Sequence, residues 1–379
     1  MTLSKNFSCK PVSFLFFIPL LASFFFVQGC ATSRTVAPIS RADGKDMTIA
    51  VMPVQNLSGV DAPLNRIRRI ILENLRRQGF HLVPDSVLDD TMAKHRIRYV
   101  GGISMEMAGI FKKEAGADAV LATSLELYDG THYPPKVALF SRLVAAGGPR
   151  PKILWMDSVA MSGDDSPGLL ETGLVYNPYV LVGKAVKRLA LSLCNALAGV
   201  KTSKPGVTMA GRFKPDDLFV SPIWDPARKY KVLVIPFYNV SDRRNAGQIM
   251  QMHFTEQLLR HPENFEVLEP GLIRHEFLNI RIIQWDGISI ENAKLLFALL
   301  DADLIVTGKV LEYRDTGDPL VAVNVIAIER KSRQIVWSST EYSSGSDDVY
   351  FFDTGKISTA HTIASEMARW VVEDMIKRN

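Results

Sequence analysis

The sequence predicts an α/β (α+β) protein in which one domain occurs twice in tandem. The first observation behind this fold class is an internal repeat. Thr48–Ser58 returns as Lys231–Ser241, and residues 80–128 align without a gap onto 265–313. The second observation is that both copies show the same order of elements, β-α-β-α-β-β-β-α. Helical crossovers imply parallel strands and short turns imply antiparallel ones, so each copy should hold a mixed sheet packed by helices.

The first half of each copy alternates strands and helices. The opening strand ends at Pro53 or Pro236, because proline lacks the N–H that a central strand uses. A helix follows in copy one, where apolar residues recur at three- and four-residue spacing before a glycine stop: Leu64, Ile67, Ile71, Leu75 and Gly79. After a short strand, the second helix begins behind a serine N-cap, Ser104 or Ser289.

The second half of each copy is predicted to hold three strands and a closing helix. The strands of copy one are Ala119–Tyr128, Lys136–Val144 and Lys152–Ala160. Those of copy two are Leu304–Tyr313, Leu320–Ile328 and Gln334–Tyr342. The closing helices lie near 178–198 and 356–377. Trp155 and Trp337 occupy like positions in the last strand of each copy, so we expect both in the core.

The first thirty residues indicate export and lipidation. Lys5 and Lys10 precede an apolar run, residues 14–27, which is shorter than the about 20 residues of a membrane span. This length disfavours the alternative of an uncleaved anchor with an incidental cysteine. Gly29-Cys30 then resembles the bacterial lipobox, which implies cleavage between Gly29 and Cys30 and a lipid on Cys30, although Gln28 departs from the pattern. Ala31, in place of aspartate, favours the outer membrane in similar lipoproteins, with the chain facing the periplasm.

Five segments follow from these patterns. They are a signal peptide (1–29), a lipidated tether (30–46), a first α/β copy (47–198), a linker (199–229) and a second copy (230–379). The linker carries several prolines and glycines and shows no clear periodicity, which is typical of a connection between domains.

The balance of charge argues against nucleic acid as a partner. Without residues 1–29 the chain has 42 basic and 40 acidic side chains, whereas nucleic-acid binding requires clustered basic charge. The arginine-rich helix from Arg66 to Arg77 could face anionic lipid or polysaccharide. However, Glu73 can pair with Arg69 and Arg77 at four-residue spacing, which favours a solvated face.

Catalytic and cofactor patterns are absent from the sequence. There is no Gly-x-Gly-x-x-Gly, P-loop, His-Glu-x-x-His, Cys-x-x-Cys or Gly-x-Ser-x-Gly. The seven histidines are scattered, so we expect them at the surface or half-buried rather than as metal ligands. The sequence therefore predicts no enzyme, no cofactor and no metal site.

Two recurring loop features are candidate interaction sites. The aspartate pairs Asp164-Asp165 and Asp347-Asp348 follow the last strand of each copy and could hold a divalent cation with loop carbonyls. Turn chemistry favours the alternative, that they cap the next turn. Asn56 and Asn239 could organise a ligand loop, or their side chains could bond local backbone and fix the exit from the strand.

The repeated pattern resembles a group of envelope proteins. The element order, the opening strand with Pro-x-x-Asn, and the segment Gly116–Val120 before the third strand look like CsgG, the amino-terminal domain of TolB and the lipoprotein activators of penicillin-binding proteins. The likeness covers nearly the whole mature chain, twice. It implies architecture and location but carries no functional residue.

The sequence thus favours a non-catalytic periplasmic lipoprotein that docks or scaffolds a cell-envelope complex for transport, secretion or cell-wall synthesis. It would contact the membrane through its lipid and an envelope protein through its folded part, and homo-oligomerisation stays open. The alternative is a subunit of a CsgG-like outer-membrane secretion pore. A pore needs extra membrane hairpins, and residues 161–178 and 343–355 are short for that purpose.

Overall fold

A computed structural model describes residues 47–165, 173–200, 212–279, 290–349 and 355–377. Copy one runs β1 (Thr48–Val51), β2 (Gln55–Asn56), α1 (Leu64–Arg77), β3 (His81–Leu82), α2 (Asp85–Lys94), α3 (Met105–Glu114), β4 (Ala119–Asp129), β5 (Lys136–Ala145), β6 (Ile153–Ser162) and α4 (Pro178–Leu197). Copy two runs β7 (Asp217–Val220), β8 (Tyr230–Val234), β9 (Tyr238–Asn239), α5 (Ala246–Leu259), β10 (Phe265–Val267), α6 (Pro270–Asn279), α7 (Ile290–Leu300), β11 (Leu304–Arg314), β12 (Leu320–Glu329), β13 (Ile335–Ser344) and α8 (Ala360–Lys377).

Each copy forms one mixed sheet. Sheet 1 has the order β3-β1-β4-β5-β6, with β2 beside β4, and sheet 2 has the order β10-β8-β11-β12-β13-β7, with β9 beside β11. The strands joined through helices pair in parallel, whereas β4-β5-β6 and β11-β12-β13 are antiparallel hairpins. The predicted fold class is confirmed.

The predicted elements form for the expected physical reasons. Helix α1 buries Ile67, Ile71, Leu72 and Leu75, the stripe that its spacing predicts. The hydroxyl of Ser104 accepts a hydrogen bond from the Met107 N–H at 3.2 Å and so caps α3. Ser289 lies outside the described residues. Both tryptophans are in the core, as predicted.

Several elements of the structure are missing from the predicted order, including the short strands β2 and β9. Each copy has a further helix, α2 and α6, between the short strand and the serine-capped helix. Helix α2 buries only Leu88, Thr91 and Met92, too few apolar positions to show a period in the sequence. In the stretch predicted as linker, Asp217–Val220 forms the strand β7, which pairs with β13 and turns Leu218 and Val220 toward the core.

The two copies share a hydrophobic core. Helices α1 and α4 cover one face of sheet 1. The other face packs against α2 and α3 and also against α5 and α8 of copy two, which lie on sheet 2 as well. The far face of sheet 2 carries α6 and α7. We call the contact of α5, the loop before it, α8 and the start of α6 with copy one the seam. No helix among the described residues is long and apolar enough to cross a membrane.

Candidate functional site

The two asparagine loops have matching internal hydrogen bonds. The Asn56 side-chain oxygen accepts from the N–H and hydroxyl of Ser58, at 3.0 and 2.6 Å, while its amide donates to the Val60 carbonyl at 2.7 Å. Asn239 makes the same bonds with Ser241 and with the Arg243 carbonyl, which accepts at 2.8 Å. The interpretation that these side chains fix the exit from the strand is confirmed. Their role as interaction loops stays a prediction.

The same two loops meet at the seam, because Arg243 reaches from copy two into copy one. Its guanidinium donates to the carbonyl oxygens of Leu57, at 3.0 Å, and Glu126, at 2.6 Å. It also pairs with Asp315 at 2.5 Å. Burial alone would lower the pKa of Arg243, but Asp315 outweighs it and raises that pKa. The charged guanidinium thus bridges the loops of both copies.

These loops line part of a cleft of about 600 Å³, which we call the seam cleft. Its lining comes from both copies: Ser58, Val60, Asp61, Leu127, Tyr128, Asp129, Gly130, Thr131, His132, Pro178, Asp242, Arg243, Tyr313, Arg314, Asp315 and Thr316. Apolar groups and charges of both signs stand side by side there.

The seam cleft contains serine, histidine and aspartate, but they do not form a catalytic triad. His132 is exposed and pairs with Asp129 at 2.9 Å, whereas the Ser58 hydroxyl donates to Asn56. A triad requires a hydrogen bond between the nucleophile and its base. The contacts of these described residues include no such bond between Ser58 and His132, so the geometry gives no support for acyl transfer.

Tyr313 connects the seam cleft with a buried polar cluster. Its hydroxyl donates to Glu126 Oε1 at 2.5 Å. The other carboxylate oxygen, Oε2, bonds to His361 Nδ1 and lies 3.9 Å from His253 Nε2. The second ring nitrogen of His361 is 3.2 Å from the Ser158 hydroxyl. Strands β4, β6 and β11 and helices α5 and α8 thus each supply one side chain.

The buried cluster is well shielded from water. Glu126 and His253 are 0% exposed and His361 is 4% exposed. Burial would raise the pKa of Glu126, but His361, His253 and Tyr313 lower it to about 2, so the carboxylate is ionised. Burial and the Glu126 charge raise the pKa of Tyr313 well above its ordinary value. Tyr313 is therefore a neutral donor to a charged acceptor.

The sequence expectation for the histidines is wrong in three cases. His253, His261 and His361 are buried rather than at the surface or half-buried. For His253 and His361 the error has a physical reason: the helices that carry them, α5 and α8, lie between two sheets, so faces that would be solvated in an outer helix are covered. Sequence spacing could not bring Glu126, His253 and His361 together, since each comes from a different element.

Three of the four paired aspartates, Asp164, Asp165 and Asp347, accept hydrogen bonds within their own turns. The Ser162 N–H donates to Asp165 at 2.8 Å, and the Ser344 N–H donates to Asp347 at 2.6 Å. Asp165 and Asp347 therefore occupy equivalent positions in the two turns. The second residue of the first pair thus corresponds to the first residue of the second pair. The Ser162 hydroxyl donates to Asp164 at 2.5 Å. The turn-capping interpretation is confirmed for these residues. Cys30 lies outside the described residues.

A second polar contact at the seam is a buried ion pair. The Arg142 guanidinium on β5 donates to both carboxylate oxygens of Glu269 at 3.1 Å and to the Gly101 carbonyl at 2.6 Å. Glu269 also accepts from the Ile103 N–H at 3.0 Å. Both side chains are essentially unexposed. Sequence reasoning missed this pair because Arg142 lies in an apolar strand and Glu269 before a helix.

Comparisons with known proteins give fold-level likenesses to bacterial proteins. PelC from Paraburkholderia phytofirmans, solved as a dodecamer, has a TM-score of 0.30 and 15% identity, and the match covers 43% of this chain and 97% of PelC. Lipoprotein GNA1162 from Neisseria meningitidis has a TM-score of 0.29 and 20% identity, and the match covers 40% of this chain and 99% of GNA1162. The LpoB C-terminal domain from Salmonella enterica has a TM-score of 0.26 and 17% identity, and the match covers 38% of this chain and 93% of that domain. No family model and no curated protein matches the sequence.

Proposed function

We propose that this protein is a lipid-anchored, non-catalytic docking component of a bacterial cell-envelope complex, and that its partner binds in the seam cleft. The observation that carries the proposal is the meeting of both asparagine loops around one cleft, held by Arg243 from copy two on Leu57 and Glu126 of copy one. A tandem repeat that shares a core presents such a surface rigidly. Binding to a preorganised surface costs less conformational entropy than binding to separate mobile domains.

The anchor in this proposal rests on Gly29-Cys30. We expect Cys30→Ala to abolish labelling of the protein by radioactive fatty acid and to release it from the outer membrane, because the acylated thiol is lost. Cys194→Ala is the matched control, since it removes the other cysteine of the mature chain and should keep full labelling. Undiminished labelling of the Cys30 variant would contradict lipidation at this residue.

The docking role is tested by photo-cross-linking of the intact lipoprotein in cells. A photoreactive amino acid at Val60, which is 50% exposed at the rim of the seam cleft, should trap one specific envelope protein. Ile335 is the control position. It is also an exposed β-branched residue, at 43%, but it lies at the opposite end of the β11-β12-β13 hairpins from the cleft.

Three results would count against the docking proposal. The first is an equal yield of the same cross-linked product from Val60 and Ile335, which would show that the partner's contact is not confined to the seam cleft. The second is ion conductance across lipid bilayers by the purified protein, which would favour a pore. The third is turnover of an envelope substrate that disappears when cleft residues are changed.

A further inference from the structure

The buried cluster at the seam has the composition of a transition-metal site. Glu126, His253 and His361 offer one carboxylate oxygen and two imidazole nitrogens, and these atoms all lie within 4.8 Å of one another. A tetrahedral zinc ion with bonds of about 2.0–2.1 Å holds its ligand atoms about 3.3 Å apart. The present separations lie on both sides of this value, since Glu126 and His361 are in hydrogen-bond contact and Glu126 and His253 are 3.9 Å apart. Shifts of about an ångström would therefore place the three side chains around one ion.

The groups behind these ligands are arranged as outer partners of a metal site usually are. One ring nitrogen of His361 faces the Glu126 carboxylate, and the other lies 3.2 Å from the Ser158 hydroxyl. The Tyr313 hydroxyl holds the second oxygen of Glu126. Such outer hydrogen bonds fix the ring orientation and the tautomer of a ligating histidine and orient a ligating carboxylate.

The surroundings also favour a metal ion over solvent. The Phe140 ring packs against both imidazoles, with its centroid 4.8 Å from that of His253 and 5.1 Å from that of His361. A buried carboxylate requires a compensating charge, and a divalent cation is one group that can supply it. Two imidazoles and one carboxylate suit zinc, whereas calcium and magnesium prefer oxygen ligands only.

The cluster exists only where the copies meet. In the gap-free alignment of the repeat, Glu126 corresponds to Leu311, which is 44% exposed. Glu126 comes from copy one, and His253 and His361 come from copy two. We infer that Glu126, His253 and His361 bind a zinc ion, with the fourth tetrahedral position left to a non-protein ligand, and that this ion fastens β4 of the first copy to α5 and α8 of the second. This inference does not depend on the proposed docking function.

The first test is the metal content of the intact lipoprotein, purified in detergent and dialysed against metal-free buffer. We expect equimolar zinc in the wild type and a loss of bound zinc of at least about tenfold in His253→Gln. Loss of even an outer hydrogen-bond partner of a ligand lowers metal affinity about 10- to 100-fold, and His253 is itself a ligand. His95→Gln is the control, since His95 pairs with Glu114 at the surface and lies outside the cluster. It should retain the zinc.

The second test uses the wild type alone, so that misfolding of a variant cannot decide the result. A zinc chelator should lower Tm by about 5 °C, because an ion that binds only the folded state stabilises it, and added zinc should restore the original value. Cobalt added to the stripped protein should give the visible absorption of a tetrahedral site. A wild type that holds no transition metal, and whose Tm responds to neither chelator nor zinc, would show that the cluster is a hydrogen-bonded network and would overturn the inference.

Discussion

Arg142→Met is expected to lower the free energy of unfolding by about 3–5 kcal/mol, one of the largest effects of any single change at the seam. The substitution keeps an apolar stem of similar length but leaves the Glu269 carboxylate in the core without its cation. It also removes the donor to the Gly101 carbonyl. Urea unfolding followed by circular dichroism measures the loss.

Two further variants separate the buried charge from simple packing. In Arg142→Met/Glu269→Gln the unpaired charge is gone and the amide oxygen can still accept from Ile103 N–H, so part of the stability should return. Lys94→Met breaks an exposed ion pair with Glu114 at 2.7 Å and should cost no more than about 1 kcal/mol. An Arg142→Met protein as stable as Lys94→Met would mean that water reaches Glu269 and that the seam is open.

Local pattern predicted most of the elements but not the docking of the copies. The strands and closing helices follow from periodicity, which depends only on neighbours in the sequence. The seam depends on how the copies face each other. Ser158 on β6, for example, is buried where α8 brings His361 to its hydroxyl.

One signal of the docking was present in the sequence. Helix α1 carries five arginines, whereas its repeat mate α5 replaces Arg68-Arg69 with Gln251-Met252 and carries no arginine. A helix without a charged face is typically covered on more than one side. In the structure α5 is buried along almost its whole length. Divergence between the two copies therefore indicated that α5 is covered on more than one side. It did not indicate which surface of copy one covers it.

The candidate site was less accessible to sequence reasoning than the fold. Asn56 and Asn239 recur in the repeat, so they could be singled out, and the structure brings their loops together. Arg243 and Asp315 are not marked by any pattern. The buried cluster joins residues from both copies at long separations, and only the packing of the seam places them in contact.

The seam also contains a close approach of two backbones. A substitution at this point is expected to give the second large effect on stability. A methyl group on Gly271 would lie 2.1 Å from the Ile103 nitrogen, and one on Gly102 would lie 2.6 Å from the Gly271 Cα. These neighbours are backbone atoms, so they cannot rotate away as a side chain can. Gly271→Ala should therefore push α6 from copy one and destabilise the protein by about 1–3 kcal/mol or more.

Gly109→Ala is the matched control for this substitution. Gly109 lies inside α3, and a methyl group there would meet nothing within 4 Å. Alanine is the better helix former, so the control should gain up to about 1 kcal/mol. The two changes add the same methyl group, and opposite signs in urea unfolding would locate the effect in the seam. Destabilisation of similar size in both variants would contradict it.

Limited proteolysis shows whether the seam joins the copies into one unit. We expect the first cut in the predicted linker between Gly199 and Lys229, on the N-terminal side of β7, because β7 is paired with β13 and therefore protected. Because sheet 1 and sheet 2 contribute to the same core through α5 and α8, the two wild-type fragments should elute together in size-exclusion chromatography. In Gly271→Ala the weakened seam should let a larger share separate. Wild-type fragments that elute separately as two folded monomers would instead show that each copy completes its own core. The seam would then not be required for folding.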